Sequence, residues 1–301
     1  MGAEGRDRMR VLEYTVQEKD RGRRLGSVLE RDMRISRTLI SRLKFRHAIL
    51  LDGQSARTDT RLQPGQTVYA VLEDEKNAWE GLVPSDVLPD VRYEDEDVLI
   101  VCKPAPLPSI ASARQQGDTL EGRMYAYFGC GEHFVYRPVN RLDKGTSGLM
   151  LVAKNSFAQE KLQKDLHTEH FVREYLAVCE GVLPGREGVI DLPIAREKAD
   201  SVRRVIREDG RRAVTHYRVL REQNGRSLVR LQLETGRTHQ IRVHLSAMGC
   251  PIVGDYLYGA EHTALPGRFA LHACSVRFRH PVTGKIIEME EKLPRELEKL
   301  L

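Results

Sequence analysis

The sequence predicts an α+β protein of two domains, a small basic unit ahead of a larger one in which strands and helices mix. Three observations carry this. The chain has 301 residues, more than a single domain usually holds. Residues 24–72 begin with helical spacing and end in short strand patterns, whereas strand and helix patterns mix from residue 90 onward. Between them, residues 73–89 are acidic and contain Trp79, Gly81, Pro84 and Pro89, a linker composition. These features set the boundaries at 10–75, 76–89 and 90–301.

In the first unit Leu25, Val28 and Leu29 keep helical spacing, Ser36 can cap a second helix, and Leu39, Ile40 and Leu43 continue it. Residues 48–51 read as a strand, Asp52-Gly53 and the stretch Gln63-Pro64-Gly65-Gln66 as turns, and residues 68–71 as another strand. Net charge is only +5, but residues 21–46 hold nine basic side chains against Glu30 and Asp32, a local balance of +7. By itself this describes a solvated helix face as well as a polyanion site. The stretch RLGSVLERDMRISRTLISRLKFRHAILLDGQSARTDTRLQPGQTVYAVLE, however, resembles an S4 RNA-binding domain over nearly its whole length. The resemblance implies that two basic helices lie against RNA phosphates. Arg37, Arg42, Lys44 and Arg46 are the candidate contacts, since cations spaced along a helix can match successive phosphates and release counterions.

The larger domain opens with VRYEDEDVLIVCKPAPLPSI, which alternates as a strand and then breaks at prolines. Residues 98–102 and 149–153 are apolar runs of buried-strand length. The stretch RPVNRLDKGTSGLMLVAKN sets a polar loop ahead of the second run, and Ser156 begins a helix with Gln159 at capping-box spacing and Ala158, Leu162 and Leu166 on one face. Asp143 therefore sits on a loop held by rigid elements, although an Asp in such a sequence serves equally as a turn or cap residue. FVREYLAVCEGVL reads as a strand with Val172, Leu176 and Val178 on one side and Arg173 and Tyr175 on the other. In VRLQLETGRTHQIRVHLSAMGCPIVGD a strand precedes a helix starting near Thr238 and stopping at Gly249. His239 and Arg242 fall three apart there, a spacing that also suits surface contacts or a core-edge ion pair.

Together RLDKGTSGL, the strand carrying Tyr175 and GRTHQIRVH resemble the motifs of RluA-type pseudouridine synthases, HRLDxxTSGL and GRxHQIRxH among them. Asn140 departs from the pattern by standing where many relatives have His. The resemblance implies a mixed, largely antiparallel sheet with flanking helices, Asp143 as the catalytic carboxylate, and Arg141 filling the space left by a flipped-out uridine. It further implies that Tyr175 stacks on the base and that Arg242, rather than Arg237, pairs with Asp143. Pseudouridine formation breaks the uracil C–N bond, turns the base and joins C5 to the same sugar carbon, with nothing oxidised and no cofactor needed. An ionised carboxylate can serve as nucleophile or as base, and a neighbouring Arg favours that form. Extruding the uridine costs a few kcal/mol, so a wedge and a platform are needed. A charged loop over residues 196–212, including Arg203 and Arg204, is expected to close over RNA.

Two other function classes fit less well. His167, His170, His239 and His244 lack the H-E-x-x-H order of a metal hydrolase, and the five cysteines have no zinc spacing, so no metal is expected. A non-catalytic S4-type RNA binder has no use for the second domain. The expected partner is ribosomal RNA, with transfer RNA as the alternative, and no obligate protein partner is implied. No apolar run approaches the roughly 18 residues of a membrane helix, and the charged N-terminus lacks a secretory pattern, which points to the cytoplasm.

Overall fold

The computed structural model describes residues 10–72, 81–112, 117–131 and 133–301. Its first unit is a sheet of β1 (Arg10–Thr15), β2 (Ile49–Leu51), β3 (Gln54–Ser55) and β4 (Thr67–Leu72) in the order β1-β4-β2-β3, packed against α1 (Leu25–Arg31) and α2 (Arg37–Phe45). Ser36 Oγ accepts from Leu39 N at 3.1 Å, the expected cap of α2, and Asp52 and Gly53 both take positive φ at the β2–β3 turn. Leu25, Val28, Leu29, Leu39 and Leu43 turn one face of each helix into the core. β1 had no counterpart in the sequence reading. Only its pairing with β4 over Arg10↔Leu72 to Thr15↔Thr67 buries Leu12 and defines it as a strand.

Among the described residues the second unit is a nine-stranded sheet. Its strands are β5 (Val91–Glu94), β6 (Val98–Lys103), β7 (Ser147–Ala153), β8 (Phe171–Glu180), β9 (Glu187–Asp191), β12 (Val214–Gln223), β13 (Arg226–Leu233), β14 (Leu271–Arg279) and β15 (Ile286–Glu290). They run in the order β5-β6-β7-β14-β8-β13-β12-β9, with β15 added beside β14, and β10 (Ile194–Arg196) and β11 (Arg204–Ile206) form a separate hairpin. The pairing of β7 with β14 is parallel and the other pairings are antiparallel, so the α+β class and the mixed sheet hold. Helices α3 (Leu120–Tyr127), α4 (Ser156–Asp165), α5 (Gln240–Ala247) and α6 (Arg295–Glu298) flank it.

Three local expectations are corrected. Residues 91–103 are a hairpin rather than one strand, because the Asp95 carboxylate accepts from Asp97 N and Val98 N and turns the chain. The cap of α4 is Asn155, whose side chain accepts from Ala158 N at 2.8 Å, so Ser156 is already helical. The stretch 196–212 is not an open loop, since β10 and β11 pair over Ile194↔Ile206 to Arg196↔Arg204.

The two units are joined by contacts as well as by sequence. The Arg10 guanidinium donates to both oxygens of buried Asp97, Ser36 Oγ donates to Glu160 at 2.6 Å, and Phe157 of α4 packs into the first unit's core. The expected linker lies partly outside the described residues, but Leu82 packs against the main core and Ser85 N bonds the carbonyl of Gly122. Among the described residues no helix is long and apolar enough to cross a membrane. Asp95, Asp97 and His280 cluster closely enough to suggest a cation. Their atoms are already committed, Asp97 to Arg10 and Asn155, and Asp95 to Tyr93 and His280.

Candidate active site

The loop between α3 and β7 carries Asp143, and its shape follows from specific bonds. Ser109 Oγ donates to the carbonyl of Leu142 at 2.6 Å, Leu107 N donates to that of Lys144, and Thr146 N donates to that of Asp143. The proline-containing stretch after β6 thus becomes the outer brace of the loop. Asn140, buried, accepts from Leu151 N at 3.0 Å, so the side chain that departs from the family pattern ties the loop to β7. Glycines allow two close approaches. A Cβ on Gly145 would lie 2.6 Å from the Phe269 ring, and one on Gly148, at φ +110°, 2.2 Å from the Ala273 carbonyl oxygen.

Arg242 is the centre of the site. It leaves the first turn of α5, is 3% exposed, and donates through Nη1 to Asp143 Oδ2 at 3.1 Å. Its Nε and Nη2 bond both oxygens of Asp255 at 2.7 and 2.8 Å, and its Cζ lies 4.2 Å from the ring centroid of Phe269 and 5.0 Å from that of Tyr258. Asp255 is fully buried, whereas the Asp143 side chain is 29% exposed. One carboxylate fixes the guanidinium and the other remains open to a cleft. The spacing of His239 and Arg242 therefore produces a buried ion pair, not a surface contact, because α5 begins at Gln240 and turns its first residues inward. Arg237 instead donates to the carbonyl of Arg212.

His239, at φ +59°, stands 3.9 Å from Asp143 Oδ2 and bonds the Tyr258 hydroxyl through Nδ1 at 2.8 Å. Arg204 N also donates to that hydroxyl, so Tyr258 joins His239 to the β10–β11 hairpin. Burial lowers the His239 pKa, and the nearby Asp143 charge works against that shift. Lys103, fully buried beneath the loop, donates to the carbonyls of Leu107 at 2.7 Å and Pro104 at 3.0 Å. Burial lowers its pKa to about 7.

Asp143, Arg141, Tyr175 and Arg242 line one cleft of ≈ 610 Å³, large enough for a nucleotide. Arg141 is exposed at its rim, and Tyr175 is 5% exposed. Burial raises the Tyr175 phenol and keeps it protonated. Arg203 lies apart from this group, its guanidinium 5.9 Å from the Tyr258 ring, while Arg204 is tied to Tyr258 through its backbone. On the first unit Arg42 and Lys44 are exposed and Arg46 is half-buried. Part of the basic cluster is neutralised within the chain, through Arg37 with Glu30, Arg21 with Glu18, and Arg23 with Asp20 and Asp32.

Sequence reasoning missed Asp255, Tyr258, Lys103 and the part played by His239. Asp255 ended the quoted third motif, and its signal was an acid just beyond a helix that carries an inward Arg. Lys103 closed an apolar strand ahead of Pro104, where a cation must find buried acceptors.

Residues 97–247 match the family model for RNA pseudouridylate synthase. An uncharacterized RNA pseudouridine synthase of Bacillus subtilis is 37% identical over 97% of this chain and 98% of its own length. The ribosomal large subunit pseudouridine synthase D of Xanthomonas campestris is 37% identical over 97% and 92%, and that of Escherichia coli 33% over 96% and 93%. The human RNA pseudouridylate synthase domain containing 1 has a solved structure that superposes with a TM-score of 0.55 at 27% identity, covering 68% of this chain and 83% of that one. The cleft around Asp143 falls inside the matched span for most of its lining, and with these relatives the conclusion is direct: the chain belongs to the RNA pseudouridylate synthase family, in its RluA type, and is an isomerase that converts uridine to pseudouridine in RNA.

Proposed function

We propose that Asp143 is the catalytic carboxylate of this isomerase and that its substrate is a uridine in large-subunit ribosomal RNA. The observation that carries the first part is the Asp143–Arg242 pair at 3.1 Å, in which Arg242 is already clamped by Asp255. Such a clamp positions a charge without reorganisation during reaction, which is how preorganised sites lower barriers. Asp143 then works from its ionised form, either on the sugar carbon or on a sugar proton, and the freed uracil turns within the cleft before C5 bonds to the sugar. Tyr175 supplies the platform for the base, and Arg141 at the rim fills the space it leaves.

The substrate assignment rests on relatives named for the large ribosomal subunit, matched along nearly the full chain. Residues 10–75 serve in this reading as an S4-like RNA-binding module, 76–89 as the linker and 90–301 as the catalytic domain. Arg42 and Lys44 contact phosphates, as do Arg37 and Arg46 once RNA competes for their present partners. Phe45, 87% exposed among them, offers a ring for a base. Arg203 and Arg204 act from the β10–β11 hairpin. The site of action is the cytoplasm, and no cofactor takes part.

Site-resolved pseudouridine mapping tests this, using RNA from cells lacking the gene and from cells restored with wild type or Asp143→Asn. Ribosomal sites lost on deletion and regained only with wild type are the expected result. Rescue by Asp143→Asn would remove Asp143 from the chemistry, and lost sites confined to transfer RNA would replace the substrate.

A further inference from the structure

The chemistry assigned to Asp143 leaves one buried cation of the cleft unused. Arg173 shares the inward face of β8 with Tyr175, two residues along, and both line the cleft. It is 8% exposed, and its Nε and Nη2 are buried with no hydrogen-bond partner. Among the described residues no carboxylate lies within ion-pair distance of it, and its nearest ring contact is Phe171 at 5.6 Å. Arg242, the other buried guanidinium of the cleft, has three carboxylate bonds. Leaving a guanidinium buried and unpaired is costly, and such a group persists where a ligand supplies the missing anion.

The surroundings are cationic. Gly236 leaves room where a Cβ would sit 3.5 Å from His167 Cε1 and 3.7 Å from Arg173 Nη1, so His167 and Arg173 meet beside bare backbone, with Arg237 next in sequence. All four residues line the cleft. Burial first, and then the fields of Arg173 and Arg237, push the His167 pKa down. Glu174, next to Arg173 in sequence, is engaged by Arg230 at 3.0 Å, and Glu234, close to Arg237, by His216 at 2.6 Å and Arg212 at 3.5 Å.

We propose that Arg173, with Arg237 beside it, seats a phosphate of the RNA backbone next to the target uridine. A planar fork of donors matches phosphate oxygens in pairs, and His167, whose ring bonds the Glu234 backbone, packs beside the fork without adding charge. The inference rests on the reading of this cleft as the uridine site. It gives Arg173 a binding role, distinct from the reaction at Asp143, in fixing how far the extruded nucleotide enters.

The test uses the full-length protein as wild type, Arg173→Gln and Arg237→Gln. Melting temperature is measured with and without inorganic phosphate, and affinity for an unmodified large-subunit ribosomal RNA transcript is measured across a salt series. Arg173→Gln is expected to melt higher than wild type, because an unpaired buried charge is gone, and to lose the stabilisation by phosphate. RNA affinity should fall about 10- to 100-fold, as expected for a charged hydrogen bond. The slope of log affinity against log salt should become shallower by about 0.7 for one phosphate contact on a single strand. Arg237→Gln, on a half-buried side chain, should show the phosphate and salt effects without the gain in melting temperature.

A lower melting point for Arg173→Gln with phosphate response and salt slope intact would make Arg173 a structural residue and overturn the seat. Tritium release from 5-tritiated uridine in the same transcript separates the two readings. Conversion by wild type with unchanged Arg173→Gln binding sinks the seat alone. No conversion, with the Arg173-dependent phosphate effect present, sinks the large-subunit substrate of the proposed function and leaves the anion seat standing.

Discussion

Arg242→Ala leaves two carboxylates without their guanidinium, and their surroundings predict different consequences. Asp255 is fully buried, and losing Arg242 strands its charge in the core. Breaking a buried pair from one side costs about 3–5 kcal/mol. At roughly 2–4 °C per kcal/mol for a domain of this size, the melting temperature should fall by roughly 6–20 °C. Asp143 is 29% exposed, so water can solvate it, and its orphaning should cost turnover rather than stability. The double variant Arg242→Ala/Asp255→Ala separates the effects, since it removes the stranded charge and leaves Asp143 as unsupported as before. Melting curves together with tritium release in single-turnover reactions should show stability partly regained and turnover still lost. If turnover returned with stability, Arg242 would be a structural residue whose contact with Asp143 is incidental, and the positioning argument would fail.

Two further outcomes follow from the same geometry. His272, 1% exposed beside Ser147 and Arg268, has its pKa lowered from 6.5 to about 4, mainly by burial. The unfolded chain therefore binds a proton there below pH 6.5 that the folded chain refuses, so stability is present above 6.5 and is lost as pH falls toward 4, by on the order of 3 kcal/mol. His272→Gln should flatten that part of a denaturation-against-pH series, and an unchanged slope would exclude His272 as the cause. Removing residues 1–75 should weaken RNA binding and flatten its salt dependence. It should also lower the melting temperature, because Asp97 loses Arg10 and Phe157 loses its cover. Unchanged RNA binding would leave the first unit without a role in recognition.

Much of the site was legible because its parts are local. The alternation of β8 put Tyr175 and Arg173 on one face, and both line the cleft. The turn residues around Asp143 read as a loop ahead of a buried strand, and the periodicity of α5 set Arg242 apart from its apolar stripe. These signals depend on a few consecutive residues, and neighbouring φ/ψ preferences and side-chain period govern them without reference to the rest of the chain. The cap of α4 was misread by one residue because Asn155 and Ser156 can both accept from the helix N-terminus, and only the backbone path chooses between them.

By itself, then, the sequence determined the class of fold, the loop carrying Asp143 and the faces of β8 and α5. Which charges meet depends on tertiary structure, and only the family resemblance, not any local pattern, implied the pair of Asp143 with Arg242. Asp143 and Arg242 are 99 positions apart, and that separation carries no local signal. Asp255 reads as an ordinary acid after a helix until burial removes water from it and from Arg242 together. The same removal of water gave Arg173 its character, for whether a cation is paired depends on every element packed around it. Pairing of buried charge is a property of three-dimensional enclosure, since only there does water cease to be the universal partner.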